Sequence, residues 1–540
     1  MSTRQKRAYE MRQNTAAFYR ELSPAPQRAN SDEQRLPNFA GSFSKGLQHQ
    51  SLAQFGEVEP DVFPQFTAAL WNGSPSVFAA VPIATPFNPS VPDSRLVNPQ
   101  AGIAFDTQGA DCAMLTMPPA PAFHSAEAEA EIAENYWMAL CRDIKFADYV
   151  TSPIVKDAAK DLTKFKAFGG PRDVAGKVTP QTIFRGGFPG DSAGDYLSVF
   201  MTRPIPYGAQ RIEPLIAYSL PAGQDFLMDE AEWLGVQNGG PGQPVKISAV
   251  VPPRPIETGR DLAQYVHIDE LFQAYLNACL ILITPAGRGG LFPGNNIPIS
   301  SQLPYNFASG SPTSKNQTGF GTLGEPNFKT MVCEVATRAL KAVWHQKWFV
   351  HRRQRPEAFA GCIHFAQTDP AAAARYGLNL APLSSVLAAV NAYNTGKGSN
   401  TFLLPMAFPE GSPKHPAYGA GHATVAGACV TVLKALFDTK ALIPGSPTMT
   451  VGGELDKLAA NVGMARNFAG VHWRSDYTQS ARLGEQVALF FLQETVRTYN
   501  EDFSLTVPLF DGRTVTISKV DDLTTQGYDF RTLYPDVYTL

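Results

Sequence analysis

The sequence has little net charge, few cysteines and no long apolar run. Lysine and arginine number 45 against 48 aspartate and glutamate, leaving a net charge of −3. That balance excludes a general electrostatic footprint for nucleic acid. No stretch approaches the roughly 20 apolar residues that a membrane helix requires. The best candidate, AYLNACLILITPAG at 274–287, is too short and is interrupted by Pro285. The six cysteines (112, 141, 279, 333, 362 and 429) show no CxxC spacing, which argues against a structural zinc site. Cys279, Cys333 and Cys429 lie in apolar helical contexts and read as buried thiols. Cys112, in QGADCAML, lies in an expected loop, where pairing within or across subunits stays open. The stretch MSTRQKRAYEMRQNTAAFYREL is charged and has no apolar signal core, so the expectation is a cytoplasmic location, with export left open.

What is present is length and buried material. A chain of 540 residues with 44% apolar and 17% charged residues accommodates one large core or two fused ones. The 44 prolines and 44 glycines imply many ordered loops. Residues 1–125, rich in Pro, Ser and Asn, read as an arm and loops suited to oligomer contacts. Residues 126–320 read as a helical half with long loops, including helical patterns at 126–148 and 259–284. Within this stretch begins a Gly/Pro/Asn/Ser-rich segment at 286–328, long enough to be functional or interfacial. Residues 321–500 form a helical unit, with patterns at 327–351, 381–393, 421–438, 453–466 and 475–499. Residues 501–540 hold a hairpin, LTVPLFDGRTVTIS, around Asp511-Gly512, and a tail. The expected fold is mainly α: helical bundles framing an oxyanion cleft, with a small C-terminal β-hairpin.

Three segments carry chemistry. In HPAYGAGHATVAGACVTVLKALF (415–437), His415 and His422 flank a run of very small residues that opens an apolar helix. The first amides of a helix have no internal partner, and a glycine-rich entry lets a ligand approach them. Taken alone, the stretch also fits a tight turn feeding a core helix, with two incidental histidines. In WHQKWFVHRRQRPEAF (344–359), Lys347 and Arg355 are eight apart. On a continuous helix they would share a face, with Pro356 encouraging a break. In ARNFAGVHWRSD (465–476), Arg466 precedes His472 by six and Asp476 follows it by four. That last spacing lets Asp476 take a hydrogen bond from one imidazole nitrogen and leaves the other as ligand or nucleophile. Together these segments supply three cations, a helix N-terminus and two histidines, a receptor for a tetrahedral, multiply charged oxyanion.

The pattern K(x7)RP, YGAGH and R(x5)H(x3)D resembles the three signature segments of vanadium-dependent haloperoxidases and their superfamily relatives, the type 2 phosphatidic-acid phosphatases and bacterial acid phosphatases. Across roughly 320–520 it is similar to the algal and cyanobacterial bromoperoxidases. The resemblance implies that His472 ligates vanadium, with Asp476 orienting it. Lys347, Arg355, Arg466 and the Gly421 amide would hold vanadate oxygens. Lys347, His422 and His472 would be the catalytic set, with His422 as acid–base. Trp344 and His415 would line the halide pocket, where a protonated His415 would attract halide and release it as pH rises past its pKa.

The implied reaction uses hydrogen peroxide to oxidise bromide or iodide to a hypohalous acid equivalent that halogenates small organic nucleophiles. Implied too are a homo-oligomer, of dimers and up to a dodecamer, and a structural calcium ion, for which Glu325 in the 316–328 loop is the candidate ligand. Two positions depart from the family pattern. Ala420 stands where the algal enzymes carry serine, which removes a hydroxyl donor to the anion. Trp344 stands where red-algal relatives carry arginine. Two other readings compete: an acid phosphatase in which His472 attacks phosphorus and His422 protonates the leaving group, and a non-catalytic phosphate-binding oligomer.

Overall fold

The computed structural model describes residues 3–85, 95–244, 248–294, 296–305, 314–519 and 527–539. Its centre is the Gly421–Leu436 helix, in which every residue but His422 is buried. Val425, Ala428, Cys429, Val432, Leu433 and Leu436 recur at helical spacing, and small residues between them let neighbouring helices close in on the remaining faces. Arg474–Thr498 packs against it most extensively, followed by Glu325–His345 and Val451–Phe468. The last is buried throughout despite carrying Glu454, Asp456 and Lys457. Those charges are paired internally, Lys457 to Glu454 at 2.6 Å and Lys434 to Asp456 at 3.0 Å, as buried charge requires.

The crossing with Arg474–Thr498 depends on two glycines. A Cβ on Gly427 would stand 2.1 Å from the Ala481 carbonyl oxygen, and one on Gly484 would stand 2.0 Å from that of Thr424. Both obstacles are backbone, so the helices would have to separate. Gly427→Ala is therefore expected to destabilise the protein by about 1–3 kcal/mol, the usual cost of overpacking, read as a lower thermal midpoint; an unchanged midpoint would refute the contact.

The expected helix at 259–284 is two, Gly259–Tyr265 and Gln273–Ile283, separated by a turn that turns out to face the site. Residues 126–148 contribute Ala126–Cys141, capped by Ser125, whose hydroxyl accepts from the Ala128 amide. The C-terminal hairpin is present as antiparallel Ser504–Pro508 and Thr514–Ser518. Two further two-stranded pairs, Ile205–Tyr207 with Gln210–Ile212 and Ile216–Ser219 with Ser248–Arg254, add sheet that the sequence pattern does not show. Of the long 286–328 segment, residues 295 and 306–313 lie outside the described residues.

Residues 1–125 are more than an arm. Besides the Thr3–Glu21 and Val62–Asn72 helices, they build a second apolar cluster. In it Phe43, Phe63, Phe66 and Leu70 pack on Trp348 and Phe349. Trp348 is fully buried, edge-on to Phe43 and Phe66. Its anchoring holds the neighbouring Lys347 toward the opposite side of the chain. Among the described residues no helix is long and apolar enough to cross a membrane.

Candidate active site

Lys347 and Arg355 do not share a continuous helix. The Glu325–His345 helix passes into a π-helical turn, Gln346–His351, and ends at Arg352 in the left-handed region (φ 40°). Arg355 caps the next helix, which begins at Pro356. The break still brings both cations onto the 415–421 turn. Lys347 Nζ donates to the carbonyls of Pro416 (2.8 Å) and Gly419. Arg355 donates to the His415 carbonyl through Nε (2.9 Å) and to the Val471 carbonyl (2.7 Å). Arg466, on Val451–Phe468, donates to the Val266 carbonyl at 2.7 Å, and its Nε is buried without a partner.

His472 sits between two helices, on a turn made by Gly470 at φ 82°. Arg355 approaches its Nε2 at 2.9 Å and Asp476 its Nδ1 at 2.7 Å. A guanidinium only donates, so Nε2 carries the lone pair and Nδ1 the proton that Asp476 accepts. Asp476 also accepts from the Trp473 amide at 3.0 Å, so one carboxylate both caps the Arg474–Thr498 helix and fixes the imidazole. Burial, then Arg355 and Lys347, hold the His472 pKa well below the usual imidazole range. Burial raises the Asp476 carboxyl to about 6 against the pull of Arg353.

His415 is similarly fixed. Arg355 donates to its Nδ1 at 2.9 Å. The Pro416 carbonyl lies 3.3 Å from the same nitrogen, but that contact would need a proton there, and the shorter bond from an obligate donor decides the tautomer. Trp344 lies with its ring centroid 5.0 Å from that of His415, and Lys347 Nζ is 5.5 Å from the indole centroid. The two residues expected at a halide pocket are thus adjacent. Burial, Lys347 and Arg355 push the His415 pKa well below the ordinary value, which disfavours the protonated form on which halide attraction by this residue was conditional.

His422 has a partner that no motif announced. Its Nε2 lies 2.9 Å from Asp269 Oδ2, with side-chain exposures of 20% and 17%. The carboxylate only accepts, so Nε2 carries the proton and Nδ1 the lone pair. Burial lowers the His422 pKa, with Asp269 opposing; Asp269 itself is lowered, because His422 and Arg466 outweigh its own burial. Asp269 follows the Gly259–Tyr265 helix by four residues and precedes His422 by 153. Its only sequence signal was an acidic residue in the gap between two helices. The same turn supplies the Val266 carbonyl to Arg466.

The cluster suits a multiply charged oxyanion. Among the described residues, none of Lys347, Arg355 and Arg466 makes an ion pair with a carboxylate. All three are buried. Burial and Arg355 push the Lys347 pKa well down, while Arg355 falls to about 9 and Arg466 to about 10, both still charged at neutral pH. Beside them opens the Gly421–Leu436 helix, whose N-cap Ala420 offers no side-chain cap and whose first amides have no side-chain partner among the described residues. Ala420, the departure from the serine pattern, has its amide bonded to Ser480 Oγ at 2.8 Å. An anion bonded to Arg466 Nε and the free helix amides would satisfy donors that otherwise have none. The calcium candidate Glu325 pairs with Lys329 at 3.2 Å, and no group of three His, Cys, Asp or Glu suited to a metal occurs among the described residues. All six cysteines are free within the chain, and burial followed by Asp111 pushes the Cys112 thiol up to about 12.

The vanadium-dependent bromoperoxidase of Corallina pilulifera is 35% identical over 562 aligned residues, covering 89% of this chain and 91% of that protein. The chain belongs to the vanadium-dependent bromoperoxidase family. The family's Ascophyllum nodosum member is 32% identical, with 91% of this chain and 89% of that protein covered. A family model described as the VCPO second helical-bundle domain matches residues 388–501. Among solved structures, the homohexameric second vanadate-dependent bromoperoxidase of Ascophyllum nodosum superposes with a TM-score of 0.85 at 29% identity. That match covers 96% of this chain and 91% of the other. The bromoperoxidase likeness therefore extends well beyond the 320–520 stretch where the motifs lie.

Proposed function

We propose that the protein binds vanadate and uses hydrogen peroxide to oxidise bromide and iodide to a hypohalous acid equivalent, which halogenates small organic nucleophiles. The observation that carries this reading is the clustering of three buried basic side chains, Lys347, Arg355 and Arg466, none paired to a carboxylate among the described residues, around His472, whose Nε2 accepts from Arg355. Vanadate, when bound, supplies a Lewis-acidic centre that polarises peroxide toward halide attack. His472 would be its ligand through Nε2, held in that tautomer by Asp476. Lys347, Arg355, Arg466 and the Gly421 amide would hold its oxygens and offset their charge. The net reaction joins peroxide, halide and one proton to give hypohalous acid and water. His422 would take a proton from arriving peroxide at Nδ1 and return it, with Asp269 stabilising the imidazolium. Trp344 closes one wall of the halide pocket, and His415 presents Nε2–H as a neutral donor.

The test is bromide-dependent peroxide consumption by vanadate-loaded protein, set against hydrolysis of an aryl phosphate by the vanadate-free protein. Phosphatase activity without haloperoxidase activity would make His472 a nucleophile and overturn the reading.

For halide choice, bromide and iodide are easier to oxidise than chloride and are expected to be turned over, with chloride activity small. Trp344→Arg and His415→Ala should each change the bromide KM more than the peroxide KM. Because burial, Lys347 and Arg355 depress the His415 pKa, its charge change is expected below the window of about pH 5 to 8 in which an unperturbed imidazole titrates. The bromide KM should accordingly show no His415-dependent rise across that range. A rise abolished by His415→Ala would show that the imidazole protonates there after all.

The protein is further proposed to be a homo-oligomer. The Thr3–Glu21 helix buries only Phe18 and Tyr19 in the single chain, leaving the rest of its surface for contacts between copies, and the Ascophyllum structure is a homohexamer. Light scattering should give a multiple of 58.5 kDa; a single-chain mass would refute it.

A further inference from the structure

Arg353 lies two residues before Arg355 but points away from the oxyanion cluster. It is buried, with its guanidinium 4.4 Å from the centre of the Trp473 ring. One guanidinium nitrogen donates to Ser475 Oγ at 2.9 Å and Asp476 Oδ1 at 3.3 Å, and the other to Glu131 Oε2 at 2.9 Å. Glu131 in turn accepts from the Ser475 amide through Oε1. Glu134, one helical turn on, pairs with Arg474 through Oε1 at 2.5 Å. The Ala126–Cys141 helix therefore presents two carboxylates to the start of the helix that carries Asp476. Arg353 is also tied by its backbone, its carbonyl accepting from Ala417 at 2.9 Å, within the turn that Lys347 and Arg355 hold.

We propose that Arg353 is a positioning residue for His472, acting through Asp476 and anchored by Glu131. This rests on the reading of His472 as the vanadium ligand. Asp476 Oδ2 receives the His472 and Trp473 protons, and among the described residues Arg353 is the donor to Oδ1. A carboxylate held at only one oxygen can rotate about its last torsion. Held at both, it keeps Oδ2 in the imidazole plane and the Nε2 lone pair aimed at the cations. The fork geometry matters, because one planar group must reach two carboxylates on different helices; an ammonium on a flexible stem supplies charge without that constraint. The chain Glu131–Arg353–Asp476–His472 thus makes the 126–141 helix, which contributes nothing to the oxyanion cluster, part of what sets the affinity for vanadium.

The test compares Arg353→Gln, Arg353→Lys and the double variant Glu131→Gln/Arg353→Gln with wild type. Vanadate affinity is measured by equilibrium dialysis, inorganic phosphate affinity on vanadate-free protein, and thermal midpoint on each. Phosphate leans on the cations and forms no bond to His472, so it reports on the cluster alone. Arg353→Gln should weaken vanadate about 10- to 100-fold, the range for lost outer partners of metal ligands, with phosphate affinity unchanged. Arg353→Lys should fall between wild type and Arg353→Gln. The double variant, which leaves no orphaned Glu131 charge, should regain thermal stability while vanadate affinity stays weak; it carries the test if Arg353→Gln does not fold. Parallel loss of phosphate and vanadate affinity, or recovery of vanadate affinity with stability in the double variant, would show a staple only and overturn the proposal. Equal vanadate affinity in wild type and Arg353→Gln would overturn it too, leaving the vanadate reading intact. A wild type that takes up no vanadate would overturn both.

Discussion

His472→Ala is expected to abolish retention of vanadate while leaving the oxyanion cluster assembled. The imidazole accepts from Arg355 at Nε2 (2.9 Å), with its other nitrogen committed to Asp476 at 2.7 Å. Removing it deletes the proposed bond to vanadium, so affinity should fall by more than ~100-fold, beyond the upper range for losing an outer partner. Arg355 keeps its bonds to the His415 and Val471 carbonyls, so the pocket has no reason to collapse. Phosphate binding, which needs charge and donors but no ligand bond, should persist. Loss of bromide oxidation is expected with it. Dialysis showing vanadate and phosphate weakened equally would mean that the imidazole is structural and that the anion is held by charge alone.

How far the sequence alone reached can be judged residue by residue. The helices that carry the motifs were legible because their apolar residues recur at helical period and Gly and Pro punctuate their ends. Asp476 was legible because its link to His472 is local, four residues along one strand of logic. The convergence of Lys347 with Arg355 was legible in outcome but wrong in route. A π-turn and a left-handed Arg352 replace the continuous helix, and neither has a composition signature. Asp269 was not legible: its contact with His422 spans 153 residues, and an acidic residue between helices is usually a solvated one. Glu131 was hidden for a related reason, since a Glu-rich helix reads as an exposed face until tertiary packing brings Arg353 to it. The short strand pairs at 205–254 carry prolines and no sustained alternation, so periodicity had nothing to act on. The depressed pKa of His415 comes from burial and from two basic side chains delivered by another segment, which are properties of the assembled site.

The Asp269–His422 pair leads to the last expected result. His422→Ala should retain vanadate, because the contact that would hold the metal comes from His472, yet lose turnover by about 10²- to 10⁴-fold, the range for a positioned acid–base group. Asp269→Asn separates catalysis from packing. Asp269 raises the His422 pKa against the lowering by burial and Arg466, so replacing the carboxylate with an amide should lower that pKa further. The imidazole takes up peroxide's proton only when neutral; activity therefore declines as pH falls through the His422 pKa and recovers above it. With the pKa lowered, the acid limb of kcat/KM for peroxide should move to more acidic pH. At the same time the rate above it falls, because the imidazolium that forms has lost its stabilising partner. A purely structural role would depress the rate without moving the limb. An acid limb that stays in place in Asp269→Asn, or that survives in His422→Ala, would remove His422 from the proton step and leave the group that accepts peroxide's proton to be sought elsewhere along the 266–269 turn.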